Sequence, residues 1–197
     1  MHLPFKLIPT TRSPRASRRL LTNEDGASAI EFGMVGLPFL LFVLGIIGYG
    51  LFFLNTSFLQ YGVESAARKI RTGEYKTAGE NGVMTVDEFR KLACSAASPV
   101  IDCSKMSVLI QHGTDWTGIT PVACVDASGD MTVSTGSKED DLSKYAGEAS
   151  EVVLVTLCYK WDLADSFSFL GLGSGADGSG PAILQAATAF KSEPYTN

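Results

Sequence analysis

The first 23 residues contain no acid, the 32 residues from Phe32 to Val63 contain no Asp, Glu, Lys, Arg or His, and no cysteine precedes Cys94. Histidine is nearly missing too, with only His2 and His112. Each shortage excludes something. With one histidine beyond the N-terminal segment, no Gly-x-Ser-x-Gly elbow, no phosphate loop and no zinc-binding helix motif, the chain offers no catalytic constellation. The absence of any Cys-x-x-Cys pair removes the usual zinc signature. Asp87 and Glu88 read as a helix cap, and Glu139 to Asp141 as a solvated acidic turn, rather than as acid–base pairs. Trp116 and Trp161 read as core or surface residues, not as a ligand platform. No enzyme, cofactor or metal is expected.

What is present is unevenly distributed. The 197 residues average 45% apolar and 19% charged with a net charge of -5, which excludes a disordered chain, a collagen and a multi-span transporter. Residues 1–23 carry Lys6, Arg12, Arg15, Arg18 and Arg19, whereas from Ala27 onward 19 acids face 11 bases, a net charge of -8. Between them, Phe32 to Leu54 holds 17 apolar residues and six Gly or Pro, enough for one transmembrane helix. A basic flank before such a span keeps the N-terminus in the cytoplasm and sends the acidic part outside. The span accounts for the basic segment without a nucleic-acid partner. The apolar core is too long for a cleaved secretory signal, and Ala27-Ser28-Ala29 precedes it instead of following it. Leu92-Ala93-Cys94 lies too far past the span to be a lipoprotein site.

Apolar spacing continues through Phe58, Leu59, Val63, Ala66, Ala67 and Ile70, predicting one helix of about 45 residues from Ala27, stopped at Gly73. Pro38 lies inside and is expected to kink or open it, while glycines 33, 36, 45, 48 and 50 suit close packing in lipid. The domain plan is a leader over 1–26, a transmembrane and assembly helix over 27–72, and a head over 73–197. The fold class is α+β, the head being a small mixed, largely antiparallel β-sheet with a short helix. That helix follows the capping box Thr85-Val-Asp-Glu88, with Val86, Phe89, Ala93 and Ala96 on one face. Strands are predicted at Met106 to Gln111, Val122 to Val125, Met131 to Thr135, Glu151 to Trp161 and Ile183 to Lys191, with a turn at Asp126 to Asp130. Gly171 to Gly180 has five glycines and reads as a mobile loop, and its single acid, Asp177, is too few for calcium.

Cys94, Cys103, Cys124 and Cys158 all fall in the head, where an oxidising compartment favours disulfides and four cysteines allow three connectivities. Cys94 with Cys103 would clip the short helix to the next strand, and Cys124 with Cys158 would join two strands; this pairing is favoured over the others.

Glu31 stands at the entrance of the apolar stretch, where a lone carboxylate is costly and calls for a partner or a task. Read backwards, Gly26-Ala-Ser-Ala-Ile-Glu31-Phe32 places Glu31 fifth after a cut behind Gly26. This arrangement resembles a type IV prepilin. The resemblance implies that a prepilin peptidase cuts between Gly26 and Ala27, and that Glu31 neutralises the new amino group of a neighbouring subunit. Within that superfamily, Glu24 to Phe32 running into Leu37-Pro38-Phe-Leu-Leu, Ala66-Ala-Arg-Lys-Ile-Arg-Thr-Gly73, and Ala189-Phe-Lys-Ser-Glu-Pro-Tyr195 are similar to the TadE-like pseudopilins of Flp (tight adherence) pilus systems. Lys191 and Ser192 depart from the family string, which has Arg and Asn there.

The resemblance implies a minor pilin or assembly subunit in the bacterial inner membrane with a periplasmic head, acting through Glu31, Phe32 and Pro38. Its partners would be the peptidase, other pilins, the assembly platform and membrane lipid. The major pilins of these systems are very small, so a head of about 125 residues suits an accessory part. The rival expectation is an uncleaved single-pass protein whose head binds a ligand or envelope partner.

Overall fold

A helix without a single charge for 32 residues needs a surface to lie against or a solvent that accepts it, and the two halves of α1 (Asp25–Arg71) differ in this respect. The structure, a computed structural model, describes residues 25–80 and 82–194, with side chains from 28 onward. The leader before residue 25 and the terminal Tyr195 lie outside the described residues. From Ser28 to Ile47 no residue of α1 is buried. From Gly48 onward a stripe at helical spacing is buried: Gly48, Asn55, Leu59, Val63, Ala66 and Ile70. Accordingly the chain forms two compact units dividing between Leu44 and Gly45, so the unit holding the head begins inside α1. Pro38 lies within one continuous helix. The helix ends where expected. Gly73 adopts a left-handed conformation (φ 73°) and its N–H reaches back to the Ile70 carbonyl, while Arg68, Lys69 and Arg71 complement the helix dipole.

The buried stripe lies in a core shared with α2 (Val86–Ala97) and an antiparallel sheet of β1 (Met106–Gly113), β2 (Val152–Trp161) and β3 (Ala182–Lys191), in the order β1-β2-β3. The capping box forms: Glu88 N–H donates to Thr85 Oγ1 at 3.2 Å and Thr85 N–H donates to Glu88 Oε2 at 2.7 Å. Ala97 is buried where Ala96 was expected and is only half-buried. β2 is the central strand. Its Val153, Val155, Leu157, Tyr159 and Trp161 join the main core, while Cys158 joins Leu109 and Cys124 in a second cluster.

The segment covering that second cluster corrects the sequence. Val122 to Val125 and Met131 to Thr135 are not strands; they meet only at one bridge, Val125 with Met131, around the expected Asp126 turn. The second of them runs beside β1, joined by one backbone bond, Thr135 N–H to the Val108 carbonyl at 2.9 Å, and otherwise by side-chain hydroxyls. Val108 N–H donates to Ser134 Oγ (3.1 Å) and Ile110 N–H to Thr135 Oγ1 (3.0 Å). A third α element, Ser143–Ala146 (α3), and a 3-10 segment, Asp162–Leu170, escaped sequence reading. The glycine-rich loop is also tied: Gly173 N–H reaches the Gly178 carbonyl, and Ser174 binds the Pro181 carbonyl through both N–H and Oγ.

Disulfides join Cys94 to Cys103 and Cys124 to Cys158, the pairs the sequence favoured, with Cα separations of 5.6 and 5.4 Å. The first clips α2 to the turn before β1. The second fastens the cover to the central strand. By loop-closure entropy the longer loop contributes about 4 kcal/mol and the shorter about 2.5 kcal/mol. Replacing Cys124 and Cys158 with alanine is therefore expected to lower the melting temperature more than replacing Cys94 and Cys103, as read by thermal unfolding of the full chain in detergent.

Two glycines of α1 make a sharper test. A Cβ at Gly62 would lie 2.7 Å from the Ala93 carbonyl oxygen and 3.1 Å from Ala97 Cβ, whereas Gly50 has open space. Gly62→Val should cost about 1–3 kcal/mol by forcing α1 off α2. Gly50→Ala should leave the melting temperature unchanged or raise it.

Candidate assembly site

Gly26, Ala27, Glu31, Phe32 and Pro38 all lie on α1, so one element carries every residue singled out for processing and assembly. Glu31 is exposed, and Phe32, Val35, Leu37, Phe39 and Phe42 are each exposed by more than three-fifths. The Phe32 ring lies along Gly36, 3.5 Å from where a Cβ there would sit. This apolar surface encircles the helix and is not a single stripe. Such a surface suits lipid, partner helices, or both. Length and composition agree: the segment from Ser28 to Arg71 includes a window of mean hydropathy 2.4. The long apolar N-terminal helix is that of a membrane-anchored protein.

At the other end of α1 two distant motifs meet. The Arg71 carbonyl, one of the helix's orphan acceptors, takes a hydrogen bond from Glu193 N–H at 2.9 Å, and the two side chains pair at 3.7 Å. Ser192, one of the two departures from the family string, is buried; its Oγ donates toward the Glu148 and Glu151 carbonyls. The Ala66 to Gly73 and Ala189 to Tyr195 stretches thus close the head on the helix, as far as Pro194 is described. Ser192 does so by backbone capture and needs no amide side chain.

The acidic residues are structural in their contacts. Asp140 accepts from Lys144 Nζ, Ser137 N–H and the Tyr145 hydroxyl, which together hold its carboxyl far below the usual range. Its backbone carbonyl accepts from Val86 N–H, fixing the turn to the start of α2. Glu139 to Asp141 is therefore an organised turn and not a merely solvated one. Asp87 is lowered by Lys91 and then Arg90, and Glu88 by the N–H groups of Thr85 and Glu80. His112 Nδ1 lies 2.9 Å from Glu151 Oε2, whose carboxyl is lowered first by Glu148 N–H and then by His112. Among the described residues no group of three or more His, Cys, Asp or Glu could hold a metal.

Sequence reading named Asp140 and Ser192 without their contacts and missed the 3-10 segment with Ala164, Phe167 and Leu170. The last had a signal, an apolar residue at every third position. Asp140 had none, because its partners are set by the chain's return onto α2.

The fold and site define a class: an α+β head on a single long apolar helix. Residues 26–68 match the model of the family described as TadE-like protein, the family its N-terminal motifs resemble. No curated protein and no solved structure matches the chain.

The carboxylates set an acid limit. A group whose pKa is depressed by folding adds stability above its unfolded value, and this is lost as pH falls through the folded value. Asp87, Glu88, Asp140 and Glu151 all shift downward from ordinary values of 3.8 or 4.5. The melting temperature should hold from neutral pH to about 5 and fall below about 4. Asp140→Asn should lower the neutral-pH value and flatten the acid decline, both read by near-ultraviolet circular dichroism.

Proposed function

We propose that the chain is a minor pilin or pseudopilin of a Flp/Tad-type pilus system, anchored in the bacterial inner membrane and matured behind Gly26. The observation that carries this reading is the coincidence of three features on one helix: the TadE-like match over residues 26–68, the Gly26/Ala27 junction with Glu31 five residues on, and an apolar surface exposed all round.

On this reading the basic leader stays in the cytoplasm and the acidic head crosses to the periplasm. Removal of residues 1–26 takes away five bases and two acids and frees the Ala27 amino group. That ammonium and a Glu31 carboxylate from another subunit compensate each other in low dielectric, where either alone would be costly. The rest of the exposed helix then packs against partner helices through its small residues, Gly33 and Gly36 among them. The protein itself performs no catalysis and takes no cofactor; it is a substrate of the peptidase and a partner of other pilins and the assembly platform. The head's bulk suits an accessory subunit.

An uncleaved anchor bearing a ligand-binding head is the reading to be separated from this one. In cells with a working prepilin peptidase, N-terminal sequencing of membrane-extracted protein is expected to begin at Ala27. Gly26→Leu should retain the leader and its size. An intact Met1 in the unaltered chain, with peptidase present, would overturn the maturation step and favour the uncleaved anchor.

A further inference from the structure

The 3-10 segment Asp162–Leu170 has a buried side and a bare one. Ala164 is buried, and Phe167 and Leu170 press onto α1: a Cβ at Gly48 would lie 2.5 Å from Leu170 Cδ1 and 3.1 Å from Phe167 Cδ1, and one at Gly45 would lie 3.6 Å from Leu170 Cδ2. Leu163 and Phe169 point outward, 45% and 51% exposed, with the Phe169 ring centre 6.4 Å from that of Phe167.

The level of this contact matters. Crossing hydrocarbon takes about 20 residues, so a span starting at Phe32 reaches about Leu51. Gly45 and Gly48 belong to that stretch, and whatever touches them from the side is at acyl-chain depth. The segment approaches that depth from a polar end. Trp161, just before it, meets Phe52 edge-on with ring centres 6.1 Å apart, and Asp162 pairs with Lys105 at 2.6 Å. From Phe52 back to Gly48 the helix descends about 6 Å, and to Gly45 about 10 Å. Asp162 therefore marks the upper end and Phe167 to Leu170 the lower. Gly171, left-handed at φ 63°, ends the segment where the chain turns back.

We propose that residues 166–170 of the head dip into the outer leaflet, with Phe169 among the acyl chains, so that the head is a second membrane contact beside the anchor helix. The inference rests on the reading that α1 crosses the membrane. The occupant is lipid because the patch continues the side of a spanning helix at hydrocarbon depth, with Asp162 and Lys105 at the opposite end and Asp165 just before the dipping residues. Leu163, six residues before Phe169 and next to Asp162, sits at the rim.

Spin labels on the full chain test this in vesicles of phosphatidylethanolamine and phosphatidylglycerol. Single labels at Phe169→Cys, Leu163→Cys, Phe42→Cys in the span and Glu148→Cys in the head are compared for relaxation by oxygen and by a polar nickel reagent. Non-reducing peptide mapping verifies both native disulfides in each variant. Phe169 is half exposed and Glu148 largely so, so neither label empties the core. The oxygen-to-nickel ratio at 169 is expected to match that at 42 and to exceed that at 148 several-fold, with 163 between. A ratio at 169 equal to that at 148, while 42 reads lipid, overturns the inference and leaves the spanning reading intact. Low access to both reagents at 169 means a protein neighbour covers the patch and also overturns it. If 42 itself reads as aqueous, the spanning reading and this inference fall together.

Discussion

The structure depends on the stripe that α1 buries from Gly48 to Ile70. An apolar helix packs only as closely as its smallest side chains allow, and this stripe contains Gly48, Gly62, Ala66 and Ala67 at the contact. Their size brings α2 and the 3-10 segment down onto the helix, with Ala93 and Leu170 filling the space that a Cβ would need. The same stripe sets the length of the head. From Phe52 to Arg71 the helix rises about 29 Å, and the nine steps of β2 cover about 30 Å. The strand's two ends meet those two levels, Trp161 at Phe52 and, through the Ser192–Glu193 return, Val152 near Arg71.

A three-stranded sheet laid on one helix has one face still to cover and two edges still to protect. The excursion between β1 and α3 addresses the face and one of the edges. Its Cys124 is bonded to the middle of the central strand, and its Ser134 and Thr135 hydroxyls take up the N–H groups along β1. Regular strands there would have extended the sheet and exposed a new edge to pairing with other chains; hydroxyl capping ends the ladder at β1. With so little secondary structure in the cover, a covalent bond to β2 is the economical way to hold it, consistent with the limited core of a head this size.

Much of this was legible in the sequence because it is local. The length of α1, its stop at Gly73, the Thr85 capping box, the Asp126 turn and three of the five strands follow from spacing and turn chemistry within a few residues. The other two strands misled because Met131 to Thr135 has the composition of a strand and lies beside one. Only the tertiary placement of Ser134 and Thr135 decides that their hydroxyls, beside a single backbone bond from Thr135 N–H to the Val108 carbonyl, stand in for a ladder. In the glycine-rich loop, glycine lowers the steric cost of turns, which permits mobility and equally the hydrogen-bonded return seen at Gly173 and Gly178. In the candidate site, Glu31 was visible because it interrupts a pattern, whereas Asp140 and Ser192 were not, because their roles exist only once distant segments meet.

Dividing α1 between two tasks has a physical consequence for assembly. The residues from Ser28 to Leu44 contribute no side chain to the buried core, so their contacts with lipid or partner helices can form or break without unpacking the head. Stability of the head is instead concentrated past Gly48, in the stripe, the two disulfides and the Asp140 turn. Under the proposed maturation, the step that frees Ala27 therefore changes charge at one end of a helix whose other end is already committed. On that proposal, the pairing of an ammonium with Glu31 in low dielectric would serve association and leave the packing of the head past Gly48 unchanged.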